Sequence, residues 1–339
     1  MLGSLRAGRT SNERMEKQRT VLVTGGAGFI GSHLCDALLS AGHRVRCLDN
    51  LATGKRANVE HHSGSDLFTF IEGDLRDAAA VNAAVVGVDA VLHLAALGSV
   101  PRSIDDPLPS EAANLGGFLN VLEACRHNGK VKLVYASSSS VYGDSKELPK
   151  REGQEGRPLS PYAVTKLMDE QYAWLYRHMF KLPVIGLRFF NVFGERQDPN
   201  GAYAAAIPKF ILRLLKHQAP QVHGDGRQSR DFTYVGNAVA AMVAGMHCEH
   251  EEAFGKVFNV ACGERTELLD IVTMLRDGLA ANDPAIALVP IEHVADRPGD
   301  VRDSLADTSL AERVLGFKAP FDLKKGMEKA IPWYQAHWS

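Results

Sequence analysis

Tyr162 and Lys166 stand four residues apart in the stretch SPYAVTK. On a helix that spacing puts both side chains on one face, one turn from each other. An ammonium beside a phenol favours the phenolate, and a phenolate held in place is a general base able to take a proton from a hydroxyl. Upstream, SSSSVYG, Ser137 to Gly143, lines up four hydroxyls directly after the apolar run VKLVYA. Serine runs are ordinarily solvated chain. This one has a buried-strand pattern before it and a helical pattern after it, so its hydroxyls fall at a strand end, where they can orient a substrate oxygen against the base. Y-x-x-x-K alone is a weak signal, since a surface ion pair satisfies it equally. It gains force from what precedes it in the chain.

TVLVTGGAGFIGSHL reads as strand, glycine turn and helix. Gly26, Gly28 and Gly31 satisfy G-x-G-x-x-G, and Gly25, Gly28 and Gly31 equally satisfy G-x-x-G-x-x-G. Glycines there allow the tight turn, the approach of backbone to a pyrophosphate and close helix–strand packing, with the phosphates at the helix N-terminus. Gly25, Gly28, Phe29, Ile30 and Gly31 are therefore expected at a dinucleotide. Asp49 closes the second strand 18 residues beyond Gly31, where a carboxylate accepts from the adenosine ribose hydroxyls and repels a 2′-phosphate. NAD is thus expected over NADP, with Asn50 beside it; a turn-capping role is the alternative for Asp49, and Lys55 and Arg56 would soften the preference. Asp74 in EGDL, next to Leu75, suits the adenine amino group, although a helix N-cap would read the same. HLAA, His93 to Ala96, ends the fourth strand in small residues, which places Ala95 against the cofactor and leaves His93 as a packed side chain. A nicotinamide cation near Tyr162 would favour its phenolate further.

These residues must be positioned by a regular frame. The runs TVLVTG, RVRCLDN, LFTFIEGD, AVLHLAA, VKLVYASS, PVIGLRFFN and KVFNVA alternate with amphipathic stretches such as IGSHLCDALLSAG and GGFLNVLEACRHNG, the latter closing at Gly129. The pattern predicts an α/β protein with a Rossmann-type, doubly wound parallel sheet whose ligands sit beyond the carboxyl ends of the strands. After Asn191 the texture turns to loop-rich chain, returns to the sheet, then departs again. A smaller, sequence-discontinuous substrate-binding lobe follows from this. The expected division is 19–190 with a return over 231–262 for the dinucleotide domain, 191–230 and 263–339 for the lobe, and 1–18 as an extension outside the fold.

Composition narrows the partners. The 339 residues, 45% hydrophobic and 23% charged, suffice for a large unit plus a smaller lobe. A formal charge of −2, from 38 basic and 40 acidic residues, supplies no basic field, so neither nucleic acid nor an anionic membrane is an expected partner. No apolar run approaches the ~20 residues of a membrane span, and the N-terminal stretch lacks the apolar core of a secretory signal, so a cytoplasmic location is expected. Cys35, Cys47, Cys125, Cys248 and Cys262 are odd in number and form no C-x-x-C pair. They indicate neither a disulfide framework nor a zinc site, and no metal is expected.

With TGGAGFIG, HLAA, SSSSVYG, SPYAVTK, RFFNVFG, RDFTYV and RPGDVR in this order, the chain resembles the extended short-chain dehydrogenase/reductase family, specifically its nucleotide-sugar epimerases, from Thr20 to the C-terminus. The resemblance implies a catalytic hydroxyl at Ser138, which would bond the sugar O4 and help pass its proton to Tyr162. Ser139 and Ser140 would touch substrate or backbone, and Ser137 would cap the strand end. It implies substrate contacts at Asn191, at Arg230 and Arg297, whose guanidinium groups suit a diphosphate, and at Asp300 and Ser304. RFFNVFGERQDPNGAYAAAIPKF and GSVPRSIDDP look most like enzymes of N-acetylated UDP-hexosamines, which adds Ser99 as a sugar contact. A serine at position 304, where a tyrosine would fill the space, leaves room for an N-acetyl group. Family members pair through two helices, and the aromatic bulk of LMDEQYAWLYRHMF predicts a homodimer.

The expected function is interconversion of UDP-GlcNAc and UDP-GalNAc, with UDP-Glc and UDP-Gal as further candidates, through a transient 4-keto sugar and bound NAD. A 4,6-dehydratase or a uronate epimerase or decarboxylase is the alternative on the same scaffold; resembling dehydratases carry an Asp-Glu pair after the catalytic hydroxyl, where this chain has Ser139 and Ser140. A catalytically silent NAD-binding regulator would be expected to lack Tyr162 or Lys166.

Overall fold

The computed structural model describes residues 17–200, 205–295 and 302–338. β1 (Thr20–Thr24) leads through the glycine turn into α1 (Phe29–Ser40), and β2 (Arg44–Asp49) and β3 (Phe68–Glu72) follow. Next come α2 (Ala78–Val85), β4 (Ala90–His93), the short α3 (Val100–Asp105) and α4 (Pro107–Glu111), α5 (Gly117–His127) and β5 (Lys132–Ser138). α6 (Pro161–Phe180) is a 20-residue helix, begun by the Ser160 hydroxyl accepting from Ala163 N at 3.1 Å and by Pro161 in the first turn. β6 (Val184–Phe189) completes the run.

Beyond it the chain forms β7 (Val192–Phe193), α7 (Ala206–Leu215), β8 (Gln221–His223), β9 (Ser229–Arg230) and β10 (Thr233–Tyr234), then α8 (Val235–His247) and β11 (Val257–Val260). β12 (Thr266–Glu267), α9 (Leu268–Ala280), β13 (Glu292–Val294), α10 (Ser309–Leu315) and α11 (Leu323–Trp338) end it. The seven strands expected from the sequence form one parallel sheet in the order β3-β2-β1-β4-β5-β6-β11. Strand order reverses between β1 and β4, with Thr24 opposite His93, and ligands of doubly wound sheets sit beyond the strand ends at such a reversal.

One face of the sheet packs on α1, α8 and α10, through Leu34, Leu38, Met242, Met246 and Val314 among others. The opposite face packs on α2, α5 and α6. A separate core joins α7, α9 and α11 around Ile211, Leu275 and Tyr334, so two stretches distant in sequence share it. Phe232, Tyr234 and Val235 belong to this second core, and side chains from Ala238 onward pack on the sheet. The chain therefore returns to the sheet within the first turn of α8, a few residues after the expected point at 231. Among the described residues no helix is long and apolar enough to cross a membrane.

Candidate active site

The carboxyl ends of the strands and the second core enclose a cavity of about 1340 Å³. That exceeds the roughly 300–1,000 Å³ of a pocket for one small ligand and leaves space for a dinucleotide and a second molecule. Gly25, Gly28, Phe29, Ile30, Gly31, Asp49, Asn50, Asp74, Leu75 and Ala95 line one part of it, together with Ser138, Ser139, Ser140, Tyr162 and Lys166.

The turn obeys the 25/28/31 spacing. A Cβ on Gly25, whose φ is +69°, would lie 2.7 Å from the Ala95 backbone, and one on Gly31 would lie 2.1 Å from the Gly25 carbonyl oxygen. Gly26 instead packs on the sheet, where a Cβ would meet the Cys47 Sγ at 2.5 Å. Helix α1 starts at Gly28 without a side-chain cap, so its first-turn N–H groups, which no helical carbonyl can reach, stand where the cavity-lining residues 28–31 meet the ligand space. That is an anion site, and the turn fits a dinucleotide pyrophosphate.

Asp49 holds the turn and stands at the cavity wall. Its carboxylate accepts from Ala27 N at 2.9 Å and from Leu51 N at 2.8 Å, and it also lines the cavity. Burial pushes its carboxyl above the usual range, against those two N–H groups. Lys55 pairs with Asp198 at 2.7 Å, and the Arg56 guanidinium lies 4.2 Å from the Phe70 ring centre. Neither cation lines the cavity, and neither offsets the repulsion between Asp49 and a 2′-phosphate. Asp74 is not a helix cap; Asp77 caps α2 through Ala79 N and Ala80 N. Asp74 takes Arg76 and Asn50 as partners, and Arg76 holds its carboxyl well below the usual range. His93 is buried, its Nδ1 2.8 Å from the Thr24 hydroxyl, and burial pushes it down to about 3, which keeps it neutral.

The serine run divides its labour differently from the expectation for Ser137. The Ser137 hydroxyl donates to Glu170 Oε1 at 2.5 Å, and the residue also lines the cavity. Ser138 makes the local cap instead, accepting from Ser140 N at 3.2 Å, and still lines the cavity. The Ser140 hydroxyl is buried with no protein partner, and such a polar atom in a cavity wall suits a ligand oxygen. Tyr162 and Lys166 lie in the first two turns of α6, as their spacing requires. The Lys166 ammonium donates to the Ala136 carbonyl and to Asp169 Oδ2, each at 3.1 Å. Burial raises the Asp169 carboxyl to about 6 although Lys166 opposes the rise.

On the substrate side Asn191, Arg230 and Ser304 line the cavity. Asn191 Nδ2 donates to the Asp231 carbonyl at 3.0 Å. Ser99, expected at the sugar, stands at the start of α3. Its hydroxyl caps α3 by accepting from Arg102 N at 3.2 Å, and the neighbouring Gly98 and Val100 face the cavity. Arg297 and Asp300 lie outside the described residues.

Several contributors escaped the sequence reading. Asp169, Glu170 and Arg188 lie behind the wall and do not line it: Asp169 holds Lys166, and Arg188 donates to Glu170 at 2.6 and 2.8 Å, where despite burial that carboxylate keeps the guanidinium firmly charged. Lys209 and Arg213 line the cavity from one face of α7, and Gln228 lines it beside Arg230. The only sequence signals were the acids three and four residues after Lys166 and the i,i+4 pair in IPKFILRL.

A doubly wound sheet with a glycine turn and a Tyr-x-x-x-Lys helix at one cavity defines a dinucleotide-dependent enzyme of the short-chain dehydrogenase/reductase type. Residues 21–261 match the NAD dependent epimerase/dehydratase family, and the chain belongs to that family, whose cofactor is NAD. It is 35% identical to a UDP-glucose 4-epimerase of Mycolicibacterium smegmatis, over 93% of this chain and 98% of the relative. It is 36% identical to the structure of a UDP-N-acetylglucosamine 4-epimerase from Methanobrevibacter ruminantium in complex with UDP-N-acetylmuramic acid, with a TM-score of 0.87 over 94% of this chain and 99% of that one. A UDP-glucuronic acid 4-epimerase from Bacillus cereus, in complex with UDP-glucuronic acid and NAD, is similar at a TM-score of 0.83 and 32% identity, over 94% and 99% of the two chains.

Proposed function

We propose that this protein is a UDP-hexosamine 4-epimerase that interconverts UDP-GlcNAc and UDP-GalNAc. The observation that carries the reading is the cavity wall itself: Tyr162 and Lys166 share it with Ser138, Ser139 and Ser140, with no carboxylate directly after Ser138 to eliminate water, and with the small Ser304 on the sugar side. NAD, which Gly25, Gly28, Gly31, Asp49 and Ala95 would hold, would supply a reversible acceptor for the hydride of the sugar C4. Tyr162 takes the proton of the 4-hydroxyl as general base, with Lys166 one helical turn further along α6. Ser138 orients O4 by a hydrogen bond and relays its proton. Arg230, with Lys209 and Arg213, provides cations for the diphosphate. With the diphosphate anchored there, the 4-keto sugar can turn over in the cavity, and Tyr162 returns the proton to O4. The net redox change is zero, so no added NAD is needed in each turnover.

The similarity to a UDP-N-acetylglucosamine 4-epimerase supports the acetylated substrate pair. The test is to incubate the purified protein separately with UDP-GlcNAc, UDP-Glc and UDP-GlcA, without added NAD, and to separate the products. UDP-GalNAc from the first is expected; conversion of only UDP-Glc or only UDP-GlcA overturns the acetyl assignment.

A further inference from the structure

Asp36 lies on α1, on the helix whose other end faces the cavity. Its Oδ1 lies 3.0 Å from Nε2 of His61 and 2.7 Å from Nε2 of His62, and its Oδ2 accepts from Arg196 at 2.7 Å. One ligand atom from each of Asp36, His61 and His62 falls within 4.8 Å of the others. Consecutive residues of a 3₁₀ turn point roughly 120° apart, yet these two rings are drawn together, their centroids 3.9 Å apart, so that both nitrogens meet the same carboxylate oxygen. We propose that Asp36, His61 and His62 form a binding site for one transition-metal dication of the zinc class. None of the three lines the catalytic cavity.

The chemistry and dimensions agree. Two imidazoles and a carboxylate suit zinc and its neighbours in the first transition row. Metal–ligand bonds of about 2.0–2.2 Å at tetrahedral angles separate ligand atoms by roughly 3.3 Å, so the oxygen–nitrogen distances of 3.0 and 2.7 Å need to open by about 0.3 and 0.6 Å. The His61 side chain is 50% exposed, which gives an entry path and room for water at a fourth position. Arg196 holds the second carboxylate oxygen and so orients the first, as outer partners of metal ligands do, while its charge opposes the dication. His33, one turn before Asp36, contacts the Glu195 carbonyl at 2.9 Å and is not a ligand.

The site has a structural consequence. Lys55 N and Asn58 Nδ2 donate to the Ala27 carbonyl in the glycine turn at 3.0 and 2.9 Å. The segment that carries both histidines is thus stitched to the turn at one end, and a metal would clamp it to α1 at the other.

The test titrates the chelator-treated full chain with Zn²⁺ by calorimetry and with Co²⁺ by absorption spectroscopy. Expected are one equivalent bound by the wild type and a loss in the His61→Ala/His62→Ala variant larger than the roughly 10–100-fold cost of an outer-shell partner. The Co²⁺ spectrum should show d–d bands without thiolate charge transfer, which separates this site from the cysteines. No binding by the wild type, undiminished binding by the double variant, or a thiolate band each overturns the proposal. Should the double variant fail to fold, Asp36→Asn, which keeps the side-chain shape, must weaken Zn²⁺ binding; unchanged affinity there also overturns it.

Discussion

Replacing Gly31 by alanine tests whether the glycine turn holds the cofactor. The added Cβ would lie 2.1 Å from the Gly25 oxygen and 2.8 Å from both the Gly25 carbonyl carbon and the Gly26 Cα. All three are backbone atoms, and Gly25 is itself wedged against Ala95, so α1 must move outward by about 1 Å to restore van der Waals contact. Overpacking of this kind costs about 1–3 kcal/mol. With an unfolding entropy of roughly 0.7 kcal/mol/K for a chain of this size, the loss in Tm is only about 1–4 °C. The effect on NAD is larger, because a 1 Å shift stretches N–H···O contacts from about 2.9 Å beyond hydrogen-bond range. Two charge-assisted bonds of about 1.5–3 kcal/mol each correspond to roughly a 10²–10⁴-fold loss of affinity. Calorimetric titration of the cofactor-stripped variant with NAD, beside its melting curve, reads both quantities. Gly64→Ala, where a Cβ would meet nothing within 4 Å, is the control and should change neither. If Gly31→Ala binds NAD within about threefold of wild type, the pyrophosphate does not sit on this helix terminus.

Tyr162→Phe should abolish epimerisation and leave NAD bound, whereas Ser138→Ala should cost on the order of 10²–10⁴ in rate; a steady-state assay with UDP-GlcNAc in which Tyr162→Phe keeps more than a small residue of activity would remove Tyr162 as the base. Ser304→Tyr should lose the acetylated substrates and keep or gain UDP-Glc and UDP-Gal, since a ring at this cavity-lining position excludes an N-acetyl group by bulk; equal loss of both pairs refutes the gatekeeper. Asp231 is fully buried, and burial pushes its carboxyl up to about 6 against backbone N–H donors at Ala306, Cys262 and Gly263. The folded state then binds this proton more tightly than the unfolded chain, so the group's stabilisation is present below about pH 4 and is lost as pH rises to about 6, by roughly 2–3 kcal/mol. The stability of wild type relative to Asp231→Asn, measured in urea, should therefore fall by that amount between pH 4 and 7, and a pH-independent difference would refute it. A homodimer is expected because α6 exposes Val164, Met168, Trp174, Leu175 and Met179, an apolar face that a second copy of the helix would cover; a monomer by light scattering at micromolar concentration would count against it.

The parts of the site that the sequence by itself determined are those set by local geometry. Glycine spacing, the four-residue step from Tyr162 to Lys166 and the acid at the end of the second strand depend on helix and strand periods and on the conformations a glycine alone allows, and a short window contains all of that information. Choosing between Gly25 and Gly26 as the first glycine of the turn already needed the sheet, because Ala95 and Cys47 are what each would strike. The cap expected of Ser137 fell to Ser138 for the same reason: Glu170, 33 residues away, takes the Ser137 hydroxyl, and the start of a 3₁₀ turn takes that of Ser138. The buried Arg188 partners and the meeting of Asp36 with His61, His62 and Arg196 join residues up to 160 positions apart. Tertiary structure alone decides such contacts, since they arise where separately formed elements bury their apolar faces together and the charged groups left at the seams must find partners or remain unpaired in a low-dielectric interior.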